Sequence, residues 1–370
     1  MNAPPPRLPF IDLRPGQDGR DVREAIERVV ARGWFVLGPE VEAFETEFAA
    51  ASGARFAIGT GNGTDALALV LRALGIGGGD EVLIPAMTAA YTGLAVLAAG
   101  ARPVIADVEA DTLIINPAGC EAAITSRTRA IIPVHLYGQP ASMDAVRRVA
   151  ERHSLAVVED CCQAHLATDR GVPVGTVGNA GAFSFYPTKN LGALGDAGAI
   201  ITNDEALAAR LRRLRNGGQT DRYRHAEAGV NSRLDEIQAA VLLARLPFLA
   251  RWTARRRELA GLYRRILPSG VRPIRERDAG HVYHLFPVRS SARDALQAHL
   301  TAAGVETFVH YPVPLHQQPA LAEYAPAPCP EAAQAASELL SLPLHPRLAD
   351  ADATRIAGEV AAFQRGRVLA

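Results

Sequence analysis

Lysine is almost missing from this 370-residue chain: 38 of its 39 lysine and arginine residues are arginine, and Lys189 stands alone. Arginine serves wherever a solvated positive charge or a carboxylate partner is wanted. It cannot serve where an amine must lose its proton and attack a carbonyl, because the guanidinium stays charged at any accessible pH. The surviving lysine therefore points to covalent amine chemistry, against the plainer reading that it simply outlived a biased composition. Cysteine is scarce too, with Cys120, Cys161, Cys162 and Cys329 showing no CxxC pair and no zinc spacing. Adjacent Cys161 and Cys162 are poorly disposed for a mutual disulfide, so all four read as small packing residues. The ten histidines form no metal-ligand pattern. Net charge is zero, which removes the bulk electrostatic case for nucleic acid or an anionic membrane surface. No apolar run approaches the ~20 residues of a membrane helix, and the proline-rich start lacks a signal peptide's apolar core. A soluble, cytoplasmic protein is expected.

What is present is a core: 48% of residues are hydrophobic, over a length suited to one large and one smaller domain. Apolar strand-like runs at residues 56–59, 81–85, 103–107, 130–134, 155–159 and 182–185 are interleaved with amphipathic stretches at 21–32, 39–51, 64–74, 92–99 and 143–153. That alternation argues for an α/β fold with a mostly parallel sheet covered on both faces. Helices are expected at 234–246 and 247–267, the second carrying six arginines that read as a solvated face. Beyond Pro268 the pattern changes to strands at 282–288 and 305–309 and helices at 292–303 and 331–340, a smaller α+β domain. The expected division is 1–248 for the large domain and 249–370 for the small one. The proline-rich stretch 312–330 reads as a loop lining the cleft between them.

Lys189 follows the alternating aromatics Phe183 and Phe185, with Pro187 ending that run and three glycines close behind. A lysine between two buried strands on a small-residue loop is placed to be desolvated, which lowers an amine's pKa and makes it a Schiff-base nucleophile. Residues 59–67 (GTGNGTDAL) set glycines between a strand and a helix, where free N–H groups and a partial positive charge suit a phosphate. A plain helix cap is the alternative. Asp160 ends the apolar run 155–159, at the carboxyl end of a strand where open α/β sheets bind ligands. It reads either as the partner of a protonated pyridine nitrogen or as an N-cap for the segment after the strand.

The order of these features resembles the DegT/StrS-type nucleotide-sugar aminotransferases, which are fold-type I pyridoxal phosphate enzymes. The resemblance runs through residues 33–40 (GWFVLGPE), 61–67 (GNGTDAL), 133–139 (PVHLYGQ), 159–165 (EDCCQAH), 186–196 (YPTKNLGALGD), 229–240 (GVNSRLDEIQAA) and 310–316 (HYPVPLH). It implies pyridoxal 5'-phosphate as cofactor, bound to Lys189 as a Schiff base, with Asp160 on the pyridinium nitrogen and Gln163 near the phenolic oxygen. It implies Gly63, Thr64 and Ser184 at the phosphate, reached also by Asn231 of the second subunit, so that the active site belongs to a homodimer. Tyr311 and His316 are implied on the sugar side. Two departures stand out: Ala89 where many members stack an aromatic on the cofactor ring, and Leu166 where they carry a small residue. The expected activity is transfer of an amino group from an amino acid, L-glutamate, to a nucleotide-linked keto-6-deoxyhexose. The lysine segment is similar to the branch that aminates C3. The alternatives are amination at C4, a family dehydratase (which carries histidine where Lys189 stands), and a regulator that binds cofactor without turnover.

Overall fold

The computed structural model describes residues 7–368. Its main sheet has seven strands: β1 (Phe56–Thr60), β2 (Glu81–Pro85), β3 (Arg102–Ala106), β4 (Thr128–Ile131), β5 (Ala156–Asp160), β6 (Ala180–Ser184) and β7 (Gly198–Thr202). Their spatial order is β1-β7-β6-β5-β4-β2-β3. Only β7 runs against its neighbours; the other strands point one way. The carboxyl ends of β1, β2, β5 and β6 therefore gather on one edge of the sheet, where ligands of such folds bind. The expected α/β architecture is present. Helices α1 (Gly19–Arg32), α2 (Pro39–Ala51), α3 (Gly63–Ala73) and α4 (Ala90–Ala98) begin within a few residues of their expected starts.

Particular side chains fix where the sheet edge lies. Phe44 and Phe48 of α2 meet Phe183 and Phe185 edge-on, at centroid distances of 5.1–5.3 Å. Phe183 of β6 and Phe185 just beyond its end, two residues apart, thus face one layer and anchor the strand that leads into Lys189. Glu236 caps α2 from a distant helix, its carboxylate accepting from the N–H groups of Gly38, Glu40 and Val41 at 2.8–3.0 Å. Fully buried Glu159 on β5 accepts from Gly175, Val177 and Gly178 N–H and from His135 Nε2 at 2.7–3.0 Å. Because His135 Nδ1 accepts from Ala141 N–H, its proton resides on Nε2. This knot ties two loops to the residue preceding Asp160. Glu159→Ala strands four buried donors and is expected to cost about 3–5 kcal/mol in denaturant unfolding. A midpoint near wild type would show the knot to be dispensable.

A second sheet joins β8 (Arg272–Pro273), β9 (Phe286–Arg289) and β10 (Leu339–Leu342) in antiparallel order. It packs with Leu259, Tyr263, Ile356 and Val360 into a separate core cluster. Here the structure departs from expectation. The strand expected at 282–288 starts only at Phe286, because Tyr283 lies at φ 47° and the Val282 and Leu285 N–H groups bond to Gly138 and Tyr137 carbonyls. Residues 305–309 form no strand, only single bridges of Val305 to Leu8 and Phe308 to Ser341. The helix expected to reach residue 340 ends at Glu338, and its last apolar residues become β10. Helices Glu205–Leu214 and Asp350–Val368 were not anticipated. Among the arginines of helix Leu249–Ile266, Arg256 is buried rather than solvated. Among the described residues no helix is long and apolar enough to cross a membrane.

Candidate active site

A cavity of about 660 Å³ opens at the carboxyl edge of the main sheet. Gly63, Thr64, Asp160, Gln163, Ser184, Lys189 and Tyr311 all line it, so seven of the nine candidate residues converge. At its floor α3 begins. Asn62 caps the helix by accepting from Asp65 N–H at 2.8 Å, which leaves the Gly63 and Thr64 N–H groups without intrahelical partners. Gly63 has to be glycine: an added Cβ would fall 2.7 Å from Cys162 Sγ and 2.9 Å from Ser184 Cβ. Its absence lets the helix N-terminus press against the end of β6, beside the Ser184 hydroxyl. The result is a compact set of anion-binding donors.

Asp160 is buried, with Oδ2 accepting from Thr92 Oγ1 at 2.8 Å and Oδ1 from Cys162 N–H at 3.1 Å. One oxygen closes a turn with the Cys162 N–H, and no helix follows for it to cap, while the residue borders the cavity. Thr88 Oγ1 lies 3.1 Å from Thr92 Oγ1 and extends the chain of hydroxyls. Gln163 is held at both ends of its amide: Oε1 accepts from Tyr137 N–H at 2.7 Å and Nε2 donates to Tyr311 OH at 2.9 Å. One Nε2 proton remains available.

Lys189 keeps a partial opening to the cavity while protein encloses it. Desolvation lowers its amine pKa below the usual lysine value, opposed by the acidic groups of Cys162 and Asp160 nearby. A primary amine that loses its proton more readily, in reach of a carboxylate and free helix N–H groups, suits capture of a carbonyl ligand bearing a phosphate.

Two candidates lie elsewhere. Asn231 is exposed and outside this cavity, on a segment bridged to Asn216. His316 is half-buried away from the cavity wall, its pKa lowered by burial with Asp107 the opposing charge. Of the two departures, Ala89 borders the cavity, and Tyr91 stands on its wall 65% exposed. Leu166 occupies φ 58°, a conformation that favours a small residue and costs a branched side chain energy. Thr88, Thr92 and Tyr186 also border the cavity and were not singled out beforehand; Thr88 lies in the bend just before α4 and Thr92 in that helix's first turn. His135, Glu159 and Cys161 lie within 4.8 Å of one another, but hydrogen bonds already occupy the carboxylate and the histidine.

Known proteins resemble this chain over nearly its whole length. Residues 17–361 match the DegT/DnrJ/EryC1/StrS aminotransferase family. A dTDP-3-amino-3,4,6-trideoxy-alpha-D-glucose transaminase of Streptomyces venezuelae is 48% identical, across 96% of this chain and 95% of that protein. A dTDP-3-amino-3,6-dideoxy-alpha-D-galactopyranose transaminase of Aneurinibacillus thermoaerophilus is 44% identical, across 94% and 97%. The crystal structure of S. venezuelae DesV in complex with a ketimine intermediate superposes with a TM-score of 0.94 at 47% identity, covering 97% of this chain and 98% of that one. Match, identity and fold agree over nearly the whole length, and this chain belongs to the DegT/DnrJ/EryC1/StrS aminotransferase family.

Proposed function

We propose that the protein is a pyridoxal phosphate-dependent sugar aminotransferase that moves an amino group from L-glutamate to C3 of a nucleoside-diphosphate keto-6-deoxyhexose. The observation that carries this reading is the desolvated amine of Lys189 in one cavity with buried Asp160 and the open N-terminus of α3. These residues fit the cofactor group by group. Gly63 and Thr64 N–H and the Ser184 hydroxyl would hold its phosphate. Asp160, oriented by its two donors, would pair with the ring nitrogen, and the spare Nε2 proton of Gln163 would meet the phenolic oxygen. When bound, the cofactor supplies the electron sink that labilises the bond between an amino acid's Cα and its hydrogen. Lys189 Nζ, uncharged at lower pH than an exposed lysine, takes and returns the proton in that step. Tyr186 and Tyr311 form the wall where a sugar ring would stack, and the loop around Lys189 decides which ring carbon faces the amine.

Regiochemistry at C3 is supported by the lysine segment and by relatives whose names specify 3-amino sugars. Incubating the enzyme with glutamate and paired 3-keto and 4-keto sugar nucleotides, then reading the product by NMR, tests it. An amine on C3 is expected; an amine on C4 alone would overturn the position and leave transamination standing. The division into a large domain (1–248) and a small one (249–370) belongs to the same reading. So does a cytoplasmic location, in keeping with four free thiols.

The working unit is read as a homodimer. Trp34, Phe35 and Val36 are exposed, and the Val36–Asp235 bridge sets them beside the Asn231 segment, an apolar edge suited to a second copy. Asn231 would then serve the partner's phosphate site. Mixing Lys189→Ala chains with Asn231→Ala chains should restore about a quarter of wild-type activity, because half the dimers carry one intact site. If mixing restores nothing, Asn231 does not act across the interface.

A further inference from the structure

Asp160 is held by one main-chain donor and one side-chain donor. Its Oδ1 accepts from the N–H of Cys162 at 3.1 Å, a bond that no side-chain substitution removes. Its Oδ2 accepts from Thr92 Oγ1 at 2.8 Å, and among the described residues no other side chain bonds to it. Thr92 in turn meets Thr88 Oγ1 at 3.1 Å. A threonine hydroxyl carries a single proton. Thr92 gives its proton to Asp160, so Thr88 donates to Thr92, and the chain runs one way from Thr88 through Thr92 to the carboxylate. Thr88 and Thr92 are 2% and 1% exposed, which leaves water little room to replace either bond. The hydroxyls and the carboxylate come from different parts of the fold. Asp160 ends β5, whereas Thr92 lies in the first turn of α4 and Thr88 in the bend before it. The segment entering that bend is pinned on both sides, since Ala86 donates its N–H to the Ala106 carbonyl and accepts from Leu315 N–H, each at 2.8 Å.

We propose that Thr92, backed by Thr88, is a positioning residue that aims the Asp160 carboxylate at the ring nitrogen of the bound cofactor. The proposal rests on the pyridoxal phosphate reading above. A carboxylate offers about four acceptor sites. Cys162 and Thr92 fill one on each oxygen, and the ring N–H needs another, met near the plane of the carboxyl group. The last torsion of an aspartate is broad and roughly two-fold, so the main-chain bond alone would leave the carboxylate free to turn. A second bond to the other oxygen, from a separately anchored helix, removes that freedom. Thr88 acts one step back: by occupying a lone pair of Thr92 Oγ1, it leaves the Thr92 proton directed at Asp160. The plainer role is packing, because a buried hydroxyl needs an acceptor and the carboxylate is within reach. The two roles predict different behaviour when both hydroxyls are removed.

The test loads the full-length enzyme with pyridoxal phosphate carrying nitrogen-15 in its ring and reads that nitrogen by solid-state NMR. Wild type should show a protonated nitrogen. In Thr92→Val the signal should move toward the unprotonated range, Thr92→Ser should restore it, and Thr88→Val should move it less. The half-reaction with glutamate, followed by the cofactor's absorbance, should slow by roughly 10- to 100-fold in Thr92→Val, as expected for loss of a hydrogen bond to a carboxylate. Thr92→Val also strands the Thr88 hydroxyl. Replacing both threonines by valine removes that orphan, so the double variant should regain part of the lost stability in urea while keeping the altered nitrogen signal and the slow half-reaction. It carries the test should Thr92→Val alone fold poorly. Recovery of signal, rate and stability together in the double variant would mean packing and overturn the proposal. So would a nitrogen that stays protonated in Thr92→Val while wild type transaminates, a result that leaves the proposed function intact. A wild type that takes up no cofactor would overturn both.

Discussion

A Lys189→Arg enzyme is expected to lose transamination by more than ~10⁴-fold while keeping its fold. Arginine preserves the positive charge and much of the length, so any role limited to electrostatics or packing would survive the change. What it removes is an amine able to exist uncharged, and burial has already moved Lys189 toward that state. The same solitude makes a chemical test unusually clean. Borohydride treatment of wild type should add the reduced cofactor's mass to a single tryptic peptide, because Lys189 is the only lysine. The modification should also block cleavage after residue 189, leaving a longer peptide bounded by arginines. Measurable turnover by Lys189→Arg, or label on any other peptide, would sink the assignment. Lys189→Ala supplies the second arm: restoration of partial activity by added primary amines would separate loss of the amine from damage to the site.

Most of the main sheet was legible because its strands are buried runs of the right length, bounded by glycine and proline. Asp160 and Lys189 stood out because each follows such a run, and carboxyl strand ends are where this architecture opens. The small sheet was harder for a physical reason. Residues 282–285 are as apolar as a strand, yet the N–H groups of Val282 and Leu285 are claimed by the loop at Tyr137 and Gly138, so tertiary partners outweigh local preference. Leu339–Leu342 continues a helical pattern in sequence but finds a ladder partner in Phe286–Arg289. Arg256 is a different case, since its signal was present. Thr253, Arg256, Ala260 and Tyr263 are buried at helical spacing, so the arginine falls on the inward stripe. Counting arginines obscured which face each one occupied. Asn231 and His316 came from resemblance alone, and the fold of one chain sets both apart from the cavity.

Acid should unfold this protein early and steeply. Burial is the leading cause that lowers the imidazole pKa of His165 and His281 to about 3 and of His310 and His345 to about 4. His284 is pushed well below its ordinary value by the same cause, with Lys189 and Arg256 adding repulsion. In the unfolded chain each of these rings titrates near 6.5. Between 6.5 and about 4 the unfolded state therefore binds protons that the folded state refuses, and stability falls as pH falls. Each ring that stays neutral removes up to about 1.4 kcal/mol per pH unit in that window. Several acting together would exhaust a typical stability of about 5–15 kcal/mol well above the range where carboxylates protonate. Unfolding midpoints in urea, measured from pH 8 to pH 4.5, should stay flat above 7 and drop sharply below 6. His165→Gln offers the control, because its amide can still donate to the Ser184 carbonyl that His165 Nε2 meets at 2.9 Å. That variant should lose close to one proton's worth of slope. A stability profile that is level down to pH 5 would mean that these rings accept protons in the folded state, and that the interior behind Lys189 is far better solvated than its packing implies.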